Sequence, residues 1–467
     1  MYKWLWRGSV LLFFSLSWFS SPLEGISSQG WHLLLIFLAT ILGIMRKPLP
    51  MGAISFISMA VLSCTQILPI DDILQGFAKR EIWLIFSAFF ISRAVIKTGL
   101  GMRIAYLFIA LFGKRTLTLS YSLVLSEMIL GSVIPSATAR SGGIFFPLIY
   151  SLSSTFKSFP RSLSANRLGK FLILNSFHCS MIISALFLTA MAGNGIVMGL
   201  ASEVGIELSW AIWFKGAFLP GLCVLLLSPL LIYLLAPPQI KETTQAYELA
   251  QKELHKMGPV SFPEWGTLLT LSFMIFFWIT GKKWGIDSTT TALLGISLLL
   301  CTKVLVWQDL IEEKGAWESL IWFGYLTTLA SQLNRLGVAQ YVGEQVIQAI
   351  GTSSSWPLSF SLLSLIYFYL HYFFAGNIPH ISALYIPFLT ASLKIGAPPL
   401  FSALFLGVSS NLFGGLTHYA SGPAPIFFGA GYVSVREWWK VGAIVTFCNL
   451  LLWGGIGSLW CRWIGIW

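Results

Sequence analysis

Two clusters of small and polar residues interrupt otherwise apolar stretches of this chain. The first is Ser136-Ala137-Thr138-Ala139-Arg140-Ser141-Gly142-Gly143, inside the run Ile134–Pro147. The second offers Gly376, Asn377, Pro379, His380 and Ser382, inside Phe373–Pro387. Hydroxyls and free backbone N–H groups can donate to an anion, and carbonyls can coordinate a cation. The glycines permit close approach and unusual dihedrals. A helix that begins at such a cluster adds positive potential. Arg140 is the sharpest feature, because an arginine at the centre of a membrane helix costs about 2.5–3.5 kcal/mol on insertion scales. A planar guanidinium grips a carboxylate bidentately, which offsets that cost when an anionic substrate enters. The other reading is structural: a permanent pair with an acid such as Glu127, or a side chain reaching the membrane edge. Asn377 supplies donor and acceptor atoms together. His380 stands 240 positions after Arg140 and so marks the corresponding point of the second cluster. It, too, has a bland reading as a satisfied buried histidine.

Each cluster is followed by the same five letters, SALFL, at Ser184–Leu188 and Ser402–Leu406, and then by a second interruption. The first interruption is Thr189-Ala190-Met191-Ala192-Gly193-Asn194-Gly195. The second runs from Ser409-Ser410-Asn411 through Gly414-Gly415 and Thr417-His418 to Ser421-Gly422-Pro423-Ala424-Pro425. Glycine and proline at this density cannot continue a regular helix. Discontinuous helices beside two broken hairpins form a substrate site, and the residues singled out for contact are Ser136, Thr138, Arg140, Asn377, His380, Thr417, Ser421 and Pro423. Simple kinking for packing is the alternative.

The elements that position these residues follow from composition. Of 467 residues, 56% are hydrophobic and only 10% charged, against about 25% charged in a soluble domain. The chain therefore belongs in a bilayer as an all-α polytopic membrane protein. Twenty Trp and 36 Phe suit apolar packing and interfacial belts. Apolar runs predict spans near 9–21, 31–45, 49–69, 81–98, 171–192, 212–236, 264–281, 288–306, 316–334, 398–413 and 439–463. The clusters fall in hairpins near 117–152 and 355–395, whose arms are short for crossing and read as re-entrant loops. Residues 237–263 are the long hydrophilic stretch and read as a surface helix or linker between halves. Lys3 and Arg7 before an apolar run imitate a signal peptide, but a retained first span fits a polytopic chain better.

The halves repeat. Glu81-Ile82-Trp83-Leu84-Ile85-Phe86 corresponds to Glu318-Ser319-Leu320-Ile321-Trp322-Phe323, Gly99 to Gly337 and Pro147 to Pro387. A broken apolar segment once per half is the sequence pointer to a transporter's binding site. Lys157, Arg161, Arg167 and Lys170 form a basic loop, which places 46–47, 114–115, 157–170, 241–256 and 436–440 in the cytoplasm. The loop of Glu203 and Glu207 then faces out. Lys79, Arg80, Lys282 and Lys283 violate this rule. The hairpins enter from opposite sides, giving an inverted repeat.

The net charge of +11 is explained by cytoplasmic loops, not by a nucleic-acid partner. The six cysteines are scattered, without metal or redox spacing. A membrane-embedded enzyme using Glu127 and His371, His380 or His418 lacks a motif, and an open channel does not need two opposed hairpins.

On these residues the chain resembles the divalent anion/sodium symporter (DASS) family, and within it the 2-oxoglutarate/malate translocators. The likeness runs from Gly30-Trp31-His32-Leu33-Leu34 through Pro48-Leu49-Pro50 to the C-terminal span, and is most specific in Ser409–Val433. It implies an inverted-repeat homodimer with scaffold and transport domains and elevator-like movement. The corresponding division here is 1–116 scaffold, 117–236 transport, 237–263 linker, 264–353 scaffold and 354–467 transport. The family's Ser-Asn-Thr motif at each tip is only partly kept. Ser136 and Thr138 match, but Ala137 replaces Asn; Asn377 matches, but Gly376 and Ile378 replace Ser and Thr. The resemblance implies no organic cofactor. Its coupling ion is Na+, for which Ser136, Ala137, Gly193, Asn194, Gly376, Asn377, Gly422 and Glu127 are the candidate surroundings. Losing an amide and a hydroxyl while gaining Arg140 and His380 suits an exchanger of C4–C5 dicarboxylates in the cytoplasmic (inner) membrane. Sodium-coupled uptake is the alternative.

Overall fold

The computed structural model describes residues 18–46, 48–350 and 355–467. The expected first span at 9–21 lies, apart from its end, outside the described residues, as do Lys3 and Arg7. Among the described residues every regular element is helical, and the β-pairing is one isolated bridge between Arg115 and Glu242.

The two halves carry the same succession of helices. In the first, Ser28–Arg46, Met51–Cys64 and Ile70–Leu74 lead to Arg80–Thr98 and Leu100–Phe112. In the second, Phe262–Thr280, Ser288–Cys301 and Trp307–Glu312 lead to Lys314–Arg335 and Val338–Ile350. Then come the hairpins: Thr116–Gly131 with Ala137–Arg140 and Phe146–Thr155, and Trp356–Tyr369 with Asn377–Lys394. The broken pairs Gly169–Leu186 with Ala192–Ser202, and Pro399–Leu412 with Ala424–Gly429, precede the closing helices Trp210–Leu235 and Val435–Leu452. Among the described residues five helices are long and apolar enough to cross a membrane, and the bent pair Arg80–Thr98 and Leu100–Phe112, kinked by 62°, makes a sixth when counted as one span. The first hairpin arms, 16 residues in Thr116–Gly131 and 14 in Trp356–Tyr369, fall short of a ~30 Å hydrocarbon core at about 1.5 Å per residue.

The sequence pattern missed Leu100–Phe112 and Val338–Ile350. Both follow the matched glycines, and both glycines have φ of 77°. This left-handed geometry turns the chain sharply and starts a new helix. Space beside Gly337 is open, so Gly337→Ala should cost only the conformational strain, about 1–2 kcal/mol. Thermal unfolding in detergent checks this; an unchanged midpoint would show that the turn relaxes freely.

Local chemistry fixes other boundaries. Asp287 Oδ1 accepts from the N–H groups of Thr289 (2.7 Å) and Thr290 (2.9 Å) and caps Ser288–Cys301. Ser261 with Glu264, and Ser434 with Glu437, form reciprocal capping boxes. A wide π turn over Ser141–Phe145 precedes Pro147, accommodating a ring that would otherwise press on the preceding turn. The SALFL copies differ in conformation. Leu186 ends the first helix and Phe187 is extended, whereas Ser402–Leu406 lie within Pro399–Leu412. The Asn194 amide explains the earlier stop, donating to Ser184 O (2.8 Å) and Phe187 O (3.0 Å) at the helix end.

Gly169–Leu186 is almost wholly buried and packs on Trp210–Leu235, Pro399–Leu412 and Thr116–Gly131. Lys314–Arg335 packs instead on Arg80–Thr98 and Met51–Cys64. Four of the basic loops, 114–115, 157–170, 241–256 and 436–440, touch one another. Thr243 N donates to Lys114 O (2.8 Å), Ile240 N to Arg167 O (3.0 Å), and Lys170 Nζ lies 2.6 Å from Glu437 Oε1. The exceptions Lys79 and Arg80 find acids on another loop. Lys79 pairs with Glu203, and Arg80 Nη2 lies 3.0 Å from Glu207 Oε2. Their charge is answered by the loop that composition set apart as acidic. The linker between halves contains a helix, Thr244–Met257, packed on Leu100–Phe112. Arg103 joins it to the next helix, with Nη1 2.9 Å from Gly258 O and Nε 2.5 Å from Glu264 Oε1.

Candidate functional site

Both hairpin tips and the second broken helix meet at one cavity of about 560 Å³. Ser136, Ala137 and Thr138 enter from the first tip, Gly376, Asn377 and Ile378 from the second, and Ser421, Gly422 and Pro423 from the unwound segment. Met181, Met191 and Ala192 add an apolar patch. Ile44, Met45, Met51, Phe89, Gly315, Glu318, Ser319 and Trp322 form the remaining wall.

Each tip is the start of a helix. Ser136 is extended and its Oγ accepts from Ala139 N–H at 3.1 Å, so it caps the helix beginning at Ala137. Gly376, which replaces a motif serine, has φ of 117° and precedes the helix beginning at Asn377. A side chain there would be strained, so glycine is the residue this turn accepts. The first N–H groups of a helix lack partners within it. Two such starts lining one cavity provide donors at two points, the arrangement a dianion requires. Asn377 anchors its tip, donating from Nδ2 to Ser410 O at 2.7 Å. Thr138 packs so closely on Gly422 that a Cβ there would lie 2.1 Å from Thr138 Oγ1.

The broken helices are also joined. Asn411 Nδ2 donates to Asn194 Oδ1 at 2.8 Å. These residues follow the two SALFL copies at nearly the same distance, the signal by which Asn411 was available in the sequence beside Asn194.

Six of the singled-out residues do not line the cavity: Arg140, His380, Thr417, Gly193, Asn194 and Glu127. Arg140 is fully buried and lies behind the first tip. Its Nη1 donates to Ile134 O (2.5 Å) and Ala190 O (2.6 Å), and Nη2 to Ser184 Oγ (3.1 Å). Nε is 3.5 Å from Glu127 Oε1, which also accepts from Ser180 Oγ at 2.5 Å. In this structure the guanidinium expected to clamp a carboxylate faces Ile134, Ala190, Ser184 and Glu127 and not the cavity. The physical reason is enclosure: the fully buried guanidinium gives three hydrogen bonds, to the tip, the first break and Ser184, and lies beside an acid, Glu127. Glu127 is correspondingly the counter-charge of that guanidinium. Gly193 is enclosed by Met191 and Ile381, whose terminal carbons would lie within 2.7 and 2.8 Å of a Cβ added there.

His380 is likewise buried, 3.1 Å from His371 at their Nδ1 atoms. His371 Nε2 lies 2.7 Å from Ala420 O. A carbonyl only accepts, so Nε2 carries hydrogen and, in a neutral ring, Nδ1 accepts from His380. Phe413 stacks on both rings, with centroids 3.9 and 4.3 Å away. The histidines thereby tie the second tip to the segment carrying Ser421, instead of facing the cavity. Thr417 is fully buried and its hydroxyl has no partner among the described residues.

The side-chain sites expected around a coupling cation are reduced. Ala137 and Ile378 offer no oxygen, Asn194 Oδ1 accepts from Asn411, and Arg140 occupies the carbonyls of Ile134 and Ala190. Among the described residues no cluster of His, Cys, Asp or Glu can hold a metal ion.

Long apolar helices surrounding a largely apolar cavity, into which two matched, interrupted segments bring polar groups, have the architecture of a multi-pass membrane transporter. The chain belongs to the family described as the sodium:sulfate symporter transmembrane region, which matches residues 2–467 and corresponds to the DASS family. It is 47% identical over 451 residues to YflS of Bacillus subtilis (strain 168), covering 96% of this chain and 94% of that protein, which carries a provisional malate-transporter name. It is 44% identical over 452 residues to dicarboxylate transporter 1, chloroplastic, of Arabidopsis thaliana, covering 96% and 81%. In fold it is similar to the solved YdaH transporter of Alcanivorax borkumensis. That likeness has a TM-score of 0.57 and 10% identity, and covers 92% of this chain and 98% of the other.

Proposed function

We propose that the protein exchanges C4–C5 dicarboxylates, 2-oxoglutarate for malate, across the cytoplasmic membrane. The observation that carries this reading is the cavity lined by two helix starts, at Ala137 and Asn377. The names of its relatives in Bacillus and in chloroplasts support the substrate class. One carboxylate binds the first tip through Ser136 and Thr138, and the other binds Asn377, with Ser421 and Pro423 between them. Arg140 and His380 act from behind the tips, beside Glu127 and His371, and Thr417 lies buried off the cavity. The Arg140 fork supplies a permanent positive group at carbonyls that a mobile cation would otherwise use. The same reading assigns the hairpins as re-entrant loops of opposite entry, 117–236 and 354–467 as a moving transport part, and 1–116 and 264–353 as a homodimer-forming scaffold. Transport then occurs by elevator movement of the cavity past that scaffold.

Sodium-coupled uptake of the same dianions is the second reading, favoured by the family's description. Labelled 2-oxoglutarate uptake into proteoliposomes preloaded with malate separates the two. Exchange is expected to proceed equally with and without sodium. Uptake that needs sodium and not internal malate would overturn the exchange reading.

A further inference from the structure

Another cavity, of about 810 Å³, lies where the loop 157–170 meets the start of Val435–Leu452. Arg161, Asn166 and Lys170 enter it from the loop, and Ser434, Val435 and Glu437 from the helix start. Two runs that leave it, Gly169–Leu186 and Val435–Trp463, are both long and apolar enough to cross a membrane. The cavity therefore stands at the ends of two spans, the level of lipid headgroups. Segments 157–170 and 434–440 together hold six basic residues and one acid. That acid is already engaged: Glu437 Oε1 lies 2.6 Å from Lys170 Nζ, and Oε2 accepts from Ser434 Oγ at 2.9 Å. Arg161 has no such partner. Its main-chain N–H donates to Gly431 O at 2.9 Å, and its stem lies against Gly431, where an added Cβ would be 3.2 Å from Cγ and Nε. The side chain is exposed and makes no hydrogen bond or ion pair among the described residues. Beside it, lining the same cavity, Leu163 is 90% exposed and Val435 49%.

The bias of basic residues toward one side of a membrane accounts for the sign of this charge. It does not account for a cavity that sets an unpartnered guanidinium beside uncovered apolar side chains. Water solvates the first and not the second. An amphipathic anion suits both. A guanidinium takes two phosphate oxygens in parallel, and an ammonium keeps two donors beyond the one it gives to Glu437. Acyl chains cover an exposed leucine and valine. We infer that this cavity binds the headgroup of an anionic phospholipid, with the phosphate at Arg161 and Lys170 and the first part of the chains against Leu163 and Val435. The site shares no lining residue with the cavity at the hairpin tips and does not rest on the dicarboxylate reading.

Dioctanoyl phosphatidylglycerol and dioctanoyl phosphatidylcholine carry a phosphate and the same chains and differ in net charge, so they isolate the electrostatic part. Apparent dissociation constants of both are measured by native mass spectrometry on the full-length protein in detergent, for wild type, Arg161→Gln, Leu163→Ser and Lys252→Gln. Lys252 is exposed on Thr244–Met257, so its variant removes the same charge away from the cavity. Wild type is expected to prefer phosphatidylglycerol. Arg161→Gln should weaken that lipid about fivefold, the scale of one basic residue at a membrane surface, and leave phosphatidylcholine unchanged. Its unfolding midpoint should not move, because the side chain gives up no bond. Leu163→Ser should weaken both lipids, and Lys252→Gln neither. Equal affinity of wild type for the two lipids would overturn the site, as would a change within about twofold in Arg161→Gln or equal losses in Arg161→Gln and Lys252→Gln. Glycerophosphoglycerol, the headgroup without chains, should compete poorly. Competition equal to that of the lipid would show a site for free anions and overturn the lipid assignment.

Discussion

Arg140→Ala is expected to lower the unfolding free energy by about 3–5 kcal/mol, the range for removing one partner of a buried ion pair. The change strands Glu127 in an apolar interior and frees the carbonyls of Ile134 and Ala190 and the hydroxyl of Ser184. Unpaired buried groups account for most of the loss. Arg140→Lys keeps the charge, but an ammonium lacks the planar fork that spans these acceptors, so it should fall between alanine and wild type. Replacing the pair together, Glu127→Leu with Arg140→Met, should recover much of the loss, because the stranded acid disappears. Thermal unfolding and monodisperse yield in detergent provide the measurements. A stable Arg140→Ala protein with a strongly raised transport constant would return Arg140 to the substrate and reject the structural role.

Gly422→Ala is expected to reduce counterflow more than tenfold while leaving much of the protein folded. The added Cβ would lie 2.1 Å from Thr138 Oγ1 and 3.4 Å from its Cβ, so the first tip and the unwound segment must separate. Overpacking of this kind costs about 1–3 kcal/mol, and here it falls at the cavity itself. Adding Thr138→Ala removes the obstructing oxygen. The double variant should therefore transport better than Gly422→Ala alone, although it lacks a cavity hydroxyl. Equal activity of the single and double variants would show that contact at this point does not govern the site.

The membrane class, the repeat and the paired tips were legible because each leaves a mark in one dimension: charge depletion, recurring letters, and glycine beside polar residues. The matched pair Gly99 and Gly337 located two identical turns. The helices after them were missed because both are only 13 residues long: Leu100–Phe112 is apolar but too short to read as a span, and Val338–Ile350 is short and amphipathic. Direction of side chains was the harder matter. Arg140 and His380 have the right chemistry at the right places, yet both are turned to backbone carbonyls and neighbouring rings. Only three-dimensional neighbours such as Glu127, Ala190 and His371 reveal those partners. Conversely, Glu318 was visible as a repeat partner of Glu81, but nothing in the letters separates an acid paired with Arg80 from one without a partner among the described residues. The Lys79 and Arg80 exceptions to charge bias had the same origin, since their acids lie more than a hundred residues away.

The linker has a consequence for how this gene tolerates division. Arg103, from the first half, grips carbonyls of Met257, Gly258 and Pro259 and the carboxylate of Glu264, all C-terminal to the body of the linker helix. These bonds do not depend on an unbroken peptide within 244–257. Two polypeptides cut inside that stretch and made in the same cell already possess a clasp, so a split version should reassemble and allow each half to be labelled separately.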